Sequence, residues 1–372
     1  MKPPTTLDIV ALTLAAIHFG VPLTYYFYLK NRYLNKSWNI KVDENYRPRV
    51  TIIVPTYNEA KLIQRKLDNI YAQDYPRNKL EVIVVDSAST DGTPELVKKW
   101  VENHPGLDLK LVVENVRRGK ARALNHALRH TTGEIVVITD VDSLWPERKT
   151  LRKAMKWFSD TSIGAVSCLK KPVGPGVRGV EEGYRQYYNV LRIAESKVYS
   201  TPIFHGELAA FRRSLLEKLG GFPTDIGADD SHMATRIALM GYRAIVPEDL
   251  WTEELVPNKG YFWWRVRRAQ HLIQHFTKLL KLKHKTPREF KTVLRAETFL
   301  HLFNPWILLT TAILLISSAV QGSIAATSLL AIGIAALIIK PYRMWIHQQL
   351  VLMIATIRNL WTKELVWRKE QK

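Results

Sequence analysis

The stretch EIVVITDVDSLWP (Glu134–Pro146) runs through β-branched apolar residues and ends on two carboxylates, Asp140 and Asp142, with one valine between them. On an extended chain residues i and i+2 share a face, roughly 7 Å apart. Two carboxylates on one face repel unless a positive charge sits between them. The pattern therefore predicts either a solvated strand end or a divalent-cation site built from oxygen ligands. Polar side chains recur at comparable places: Thr56, Asn58 and Glu59 after VTIIVP, and Asp86 and Asp91 after LEVIVV. No G-x-x-x-x-G-K-[ST] loop is present and no G-x-G-x-x-G follows the first apolar run, so the usual backbone cradles for phosphate are missing. Carboxylates suit a nucleobase N–H, ribose hydroxyls, or a metal that in turn holds phosphate. That combination is expected of a nucleotide-sugar site.

These residues need elements to carry them. From Val50 onward the chain alternates between the two periodicities. Val50–Val54 and Leu80–Val85 read as strands, LDLKLVVEN as a third and GEIVVITD as a fourth; KLIQRKLDNIYAQ, TPELVKKWVENH and GKARALNHALRH read as the helices between them. Thr93 is placed to cap the second helix, with Pro94 in its first turn. Alternation of this kind predicts an α/β domain with a mainly parallel sheet covered by helices. Ligands of such sheets bind beyond the carboxyl ends of the strands, where the acidic residues lie.

The remainder of the 372 residues has a different character. Leu7–Leu29 carries one charge, Asp8, while Phe299–Val320 and the shorter Ile324–Ile339 carry none. A helix crossing the hydrocarbon needs about 20 such residues. The second and third segments, joined by Gln321–Ser323, read as a hairpin, and the first as an uncleaved anchor without a small-residue cleavage site. The formal charge is +20, and the basic residues cluster beside the apolar segments: ten Lys/Arg face only Glu289 between Arg265 and Arg295. Three crossings put every cluster on one side, which the positive-inside rule makes cytoplasmic. Residues 265–285, with Leu272, Phe276, Leu279 and Leu280 at helical spacing, and Met344–Trp367 read as basic amphipathic helices on lipid headgroups. The charge is then juxtamembrane, which leaves nucleic acid as the weaker partner. The single cysteine, Cys168, excludes an internal disulfide and fits a reducing compartment.

From about Val50 to Gln270 the residues resemble glycosyltransferase family two, with the GT-A fold, in the membrane-bound branch that includes cellulose and hyaluronan synthases. VPTYNE and VVDSASTDGT resemble its base-binding segments, which implies that Pro55, Tyr57, Glu59 and Asp86 line the nucleoside pocket. RGKARALN resembles its Gly-Lys segment, so Lys120 is expected at the nucleotide. TDVD resembles its metal motif, with Asp140 toward ribose or donor sugar and Asp142 on Mn2+ or Mg2+. HGELAAFRR resembles the loop under the donor sugar, placing Gly206 and Glu207 there, and His205 is a candidate further ligand or a plain loop histidine. GADDSHMATRIALMGYR resembles the family's acidic helix start. Asp230 takes the catalytic-base position, against the alternative of a simple N-cap, and Asp229 replaces the usual glutamate beside it. The resemblance implies inversion at the anomeric carbon.

One departure bears on the product. Processive synthases carry Q-x-x-R-W before the membrane hairpin; this chain reads RVRRAQ, with Arg265 for Gln, Arg268 matching and Ala269 for Trp. Arg268 is expected near the leaving diphosphate, and Trp263 and Trp264 are available for stacking or for interfacial anchoring. The favoured expectation is an enzyme that moves a hexose, mannose from GDP-mannose first, to a dolichyl- or polyprenyl-phosphate-linked acceptor. A processive synthase using a UDP-sugar and an inactive membrane scaffold are the alternatives. The expected layout is an anchor at 1–39, a cytosolic catalytic domain at 40–260, interfacial helices at 261–298, a membrane hairpin at 299–340 and an interfacial helix and tail at 341–372, in the plasma membrane.

Overall fold

A computed structural model of the chain describes residues 5–174, 178–282 and 285–366. Its strands are β1 (Val50–Thr56), β2 (Leu80–Ser87), β3 (Asp108–Glu114), β4 (Ile135–Ile138), β5 (Ser143–Leu144), β6 (Ile163–Ser167), β7 (Leu169–Val173), β8 (Ala209–Arg212), β9 (Arg243–Ile245) and β10 (Trp251–Leu255). Seven form one sheet in the order β3-β2-β1-β4-β8-β6-β9. All its pairings are parallel except those of β8, which runs antiparallel to β4 and β6. The expected mainly parallel GT-A-type sheet is therefore present. β1 has β2 on one side and β4 on the other, so its carboxyl end is a topological switch point, where open sheets leave a crevice.

The sheet is covered on both faces, which is why its central strands are apolar throughout. Val50, Ile52 and Val54 pack with Ile63, Leu67 and Ile70, while Ile53, Ile83 and Val85 pack with Ala123, Leu124 and Ala127. A second sheet, β5-β10-β7, is small but functional in its placement. Its register sets Ser143 opposite Glu254, and Lys170 opposite Thr252. It thereby ties the segment after Asp142 to two buried charged residues.

Local details differ from expectation. β4 stops at Ile138, and Asp140–Ser143 is a turn closed by Ser143 N–H donating to the Asp140 carbonyl (3.3 Å). A turn, not strand alternation, presents Asp140 and Asp142. The helix Thr93–Glu102 is capped by Gly92 at φ +86°, and Thr93 is its first residue; the threonine hydroxyl donates to Asp91 (2.5 Å) instead of capping.

Among the described residues two helices are long and apolar enough to cross a membrane, Thr6–Leu34 and Arg288–Val320. The second starts well before Phe299, through a π-helical turn at Phe299–Phe303 that precedes Pro305. The expected third crossing is shorter. Ile324–Ile338 reaches about 22 Å at 1.5 Å per residue, then bends by 106° into Lys340–Arg358. Buried polar groups tie the apolar helices together and to the domain. The Asp8 carboxylate accepts from Ser318 (2.6 Å) and Ser323 (2.9 Å). Arg192 pairs with Glu195 (2.7 Å) and with Glu297 (3.0 Å) of the second long helix, and Tyr25 donates to Glu195 (2.8 Å).

The helix Tyr261–Lys281 corrects the lipid-facing expectation. Phe276 and Leu279 are buried against the α/β domain, and Val266, Ala269 and Ile273 pack on Val351, Leu352 and Ala355. Its apolar stripe faces protein, and Leu280 alone of the expected set is exposed. Lys283 of that basic stretch, and Trp367, Arg368 and Lys369 of the tail, lie outside the described residues.

Candidate active site

A cavity of about 850 Å3 opens beyond the carboxyl ends of β1, β2 and β4 and extends to the helix Tyr261–Lys281 and His301. Its outer end is formed by the loop after β1. Pro55, Tyr57 and Glu59 line it, as the sequence implies, together with Asn58 and Asp91. Side chains zip this loop to the loop after β2: Asn58 N–H donates to Ser89 (2.7 Å), Ala60 N–H to Asp91 (3.0 Å) and Thr90 N–H to Asn58 (2.8 Å). Asp86 departs from the expectation. It is fully buried, accepts from Thr56 (3.0 Å), Ser89 N–H (2.9 Å) and the Ser89 hydroxyl (2.5 Å), and shapes the pocket wall from behind.

The centre of the cavity gathers the charged residues. Lys120 begins the helix Lys120–Leu128 immediately after Gly119, whose φ of +98° lets the loop turn into it. Its ammonium lies 2.7 Å from Asp140 and 4.0 Å from Asp229. Burial opposes that charge, but Asp140, Asp229 and Asp230 outweigh it and hold the lysine above its ordinary value. Gly206 backs onto this pair: a Cβ there would lie 2.9 Å from both the Asp140 carboxylate and the Lys120 ammonium. Asp142 lines the cavity one turn residue further on. Beneath the turn Lys66 is fully buried and donates to the Ser143 carbonyl (3.0 Å) and hydroxyl (3.2 Å).

Asp229 and Asp230 form the first turn of the helix Asp229–Leu239, where the N–H groups at the helix start favour negative charge. The N-cap is Ala228, with no side-chain capping bond, so Asp230 is not a cap. Burial and then the Asp229 charge push Asp230 up to about 7. Burial also raises Asp229, whose Oδ2 is buried without a hydrogen bond. Gly227 lets this start approach the helix Tyr261–Lys281: its N–H donates to Gln274 (2.8 Å), and a Cβ would fall 2.2 Å from the His271 ring. Gly227→Ala is accordingly expected to shift the ring or the acidic turn. Overpacking of this kind costs about 1–3 kcal/mol, and misplacing the turn is expected to slow transfer at least tenfold, roughly. A thermal melt and an initial rate check both.

The inner end carries an ion-pair network that sequence motifs do not reveal. Lys170 pairs with Glu207 (2.8 Å) and Glu254 (3.1 Å), Arg185 with Glu254 (2.6 Å) and Glu181 (3.1 Å), and Arg268 also with Glu254. Trp264 is buried under the Arg268 guanidinium (4.6 Å), whereas Trp263 is exposed. Burial and then Lys170, Arg185 and Arg268 hold His205 well below its usual range, so its imidazole is neutral. Among the described residues no three His, Cys, Asp or Glu side chains converge as a metal cage. A divalent ion fits only if a ligand's own oxygens and water complete its shell. Asp140 is engaged by Lys120, and Asp142 lines the same cavity two residues further along the turn.

The model of the family described as Glycosyl transferase family 2 matches residues 51–220. A mannosyltransferase of Pyrobaculum calidifontis, PcManGT, solved in complex with GDP-Man and Mn2+, is 59% identical; the match covers 96% of this chain and 100% of that one, with a TM-score of 0.89. The poly-β-1,6-N-acetyl-D-glucosamine synthase of Staphylococcus epidermidis is 25% identical over 72% of this chain and 66% of that protein. The cellulose synthase 1 catalytic subunit of Komagataeibacter xylinus is 30% identical over 62% of this chain and 31% of its own length. The chain thus spans about two thirds or less of these two synthases.

Proposed function

Since this chain belongs to glycosyl transferase family 2 and is a glycosyltransferase, we propose that it moves mannose from GDP-mannose to a lipid-linked acceptor, with inversion at the anomeric carbon. One observation carries this reading: Lys120, Asp140, Asp142 and the Asp229–Asp230 turn share one cavity, in a chain 59% identical to a protein that binds GDP-Man and Mn2+. The scaffold alternative is set aside with the family assignment.

In this reading an acceptor hydroxyl attacks the anomeric carbon opposite the leaving diphosphate. The new C–O bond forms as the bond to the β-phosphate oxygen breaks, and the acceptor proton passes to Asp230. Tyr57, with Pro55 and Glu59, shapes the nucleoside pocket. Lys120 sets a positive charge beside Asp140, where the ribose and diphosphate would lie, and Gly206 keeps that floor open. Asp142 would hold Mn2+ or Mg2+, which supplies Lewis-acid stabilisation to the leaving diphosphate. Glu207 and Arg268 are assigned to the sugar side, with Trp264 as an apolar wall, and His205 is outside the metal shell.

The acceptor belongs at the inner end, beside His301 of the helix Arg288–Val320. We place that helix and Thr6–Leu34 in the plasma membrane with the catalytic domain, residues 40–260, on the cytoplasmic side. Ala269 stands where processive synthases carry the stacking Trp, which favours transfer of one or few sugars. A screen of labelled nucleotide sugars against polyprenyl and dolichyl phosphates, and saccharides linked to them, tests the proposal. The expected product is a lipid-linked acceptor extended by one or a few mannoses from GDP-mannose. A ladder of long chains from a UDP-sugar would replace it with the processive reading.

A further inference from the structure

At the outer end of the cavity the Arg117 guanidinium lies on the Tyr57 ring, 3.7 Å from its centroid. Arg117 comes from the loop between β3 and the helix Lys120–Leu128, and Tyr57 from the loop after β1. Both line the cavity, beside the carboxylates of Glu59 and Asp91. A guanidinium laid on an aromatic ring has the plane of its donor fork fixed, so less conformational freedom is lost when that fork meets a planar partner.

Nucleobases differ in what they offer such a fork. Guanine sets O6 and N7 side by side, two acceptors that one guanidinium meets bidentately. Adenine sets an amino donor beside N7, which opposes the fork. Uracil and cytosine have no N7 at all. The other edge of guanine carries N1–H and an amino group, which need acceptors, and carboxylates line the same end. Asp86, the position that family resemblance gives to the base, is buried behind the wall and engaged by Thr56 and Ser89. Base choice therefore has to come from residues in front of that wall.

We propose that Arg117 is the residue that selects guanine in the donor nucleotide, with its fork on O6 and N7 and its plane set by Tyr57. The inference rests on the reading of this end as the nucleoside pocket, and it supplies the physical reason for a GDP donor.

Calorimetric titration of the full-length protein with GDP and with UDP, both with Mn2+, tests it. The parent is expected to prefer GDP. A bidentate pair of this kind discriminates by about tenfold to a hundredfold, and Arg117→Ala is expected to lose that much GDP affinity with little change for UDP. Arg117→Lys keeps the charge without the fork and is expected to lose the preference as well. An equal loss for GDP and UDP would reduce Arg117 to a general attraction for phosphate and overturn the inference. So would a GDP preference that survives Arg117→Ala. A parent without any GDP preference would instead overturn the guanine-donor reading itself, and this inference with it. Arg117 is a half-exposed loop residue, so unaltered melting of the variants confirms that folding is intact.

Discussion

Asp230→Asn is expected to lower sugar transfer by about a thousandfold while leaving metal-dependent GDP binding near the parent value, since a positioned base contributes roughly 10²–10⁴. Asparagine keeps the shape of the side chain and its acceptance from Ser231 N–H (2.6 Å) but cannot take a proton. Burial and Asp229 push Asp230 up to about 7, so the parent's kcat/KM is expected to rise with pH through that region as the carboxylate forms. The same shift has a stability consequence. A carboxyl whose folded value exceeds its unfolded value stabilises the fold below the unfolded value, and that contribution is lost as pH rises through about 7. Asp230→Asn is therefore expected to melt no lower than the parent at pH 8, and its residual activity should lack the acid limb. Transfer at the parent rate would remove Asp230 from the mechanism. A variant that loses GDP binding as well would show that Asp230 builds the donor pocket.

What could be foreseen follows from how far apart the interacting residues lie along the chain. Lys120, Asp140, Gly206 and Asp229 are legible because each lies inside a short local motif that resembles one of the family's. Arg185 and Lys170 were not expected, because their partner Glu254 is 69 and 84 residues away. Alternation in β10 buries Thr252 and Glu254 on one face, but a buried glutamate does not say which cation it meets. The sequence places Asp86 at a polar strand end facing the pocket. Thr56, the last residue of β1, and Ser89, in the loop after β2, capture it instead. The apolar stripe of Tyr261–Lys281 has the same period whether it faces lipid or protein; only the fold shows Phe276 inside. The bend after Ile338 coincides with Lys340-Pro341, where proline lacks the N–H that would continue the preceding helix.

Asp142→Ala is expected to reduce Mn2+-dependent GDP binding to the level seen with chelator and to lower transfer by about a thousandfold. Lewis-acid stabilisation of a leaving phosphate supplies several kcal/mol, and each 1.36 kcal/mol is a tenfold change in rate. The assignment to Asp142 over Asp140 rests on the resemblance of TDVD to the family's metal motif and on the place of Asp140. Asp140 lies 2.7 Å from Lys120 and its backbone N–H donates to the Gly206 carbonyl (3.0 Å), so it is held against the floor of the donor site. Asp142 stands beyond that pair in the turn, and no cage of three ligating side chains surrounds it among the described residues. The ion therefore depends on oxygens that the nucleotide brings. It follows that the parent should bind Mn2+ weakly alone and far more tightly with GDP, as the free Mn2+ signal in electron paramagnetic resonance would report. Asp142→Ala should erase that gain, whereas Asp140→Asn should retain part of it. If the gain survives Asp142→Ala but disappears in Asp140→Asn, the two aspartates exchange roles. If it survives both, the ion lies elsewhere.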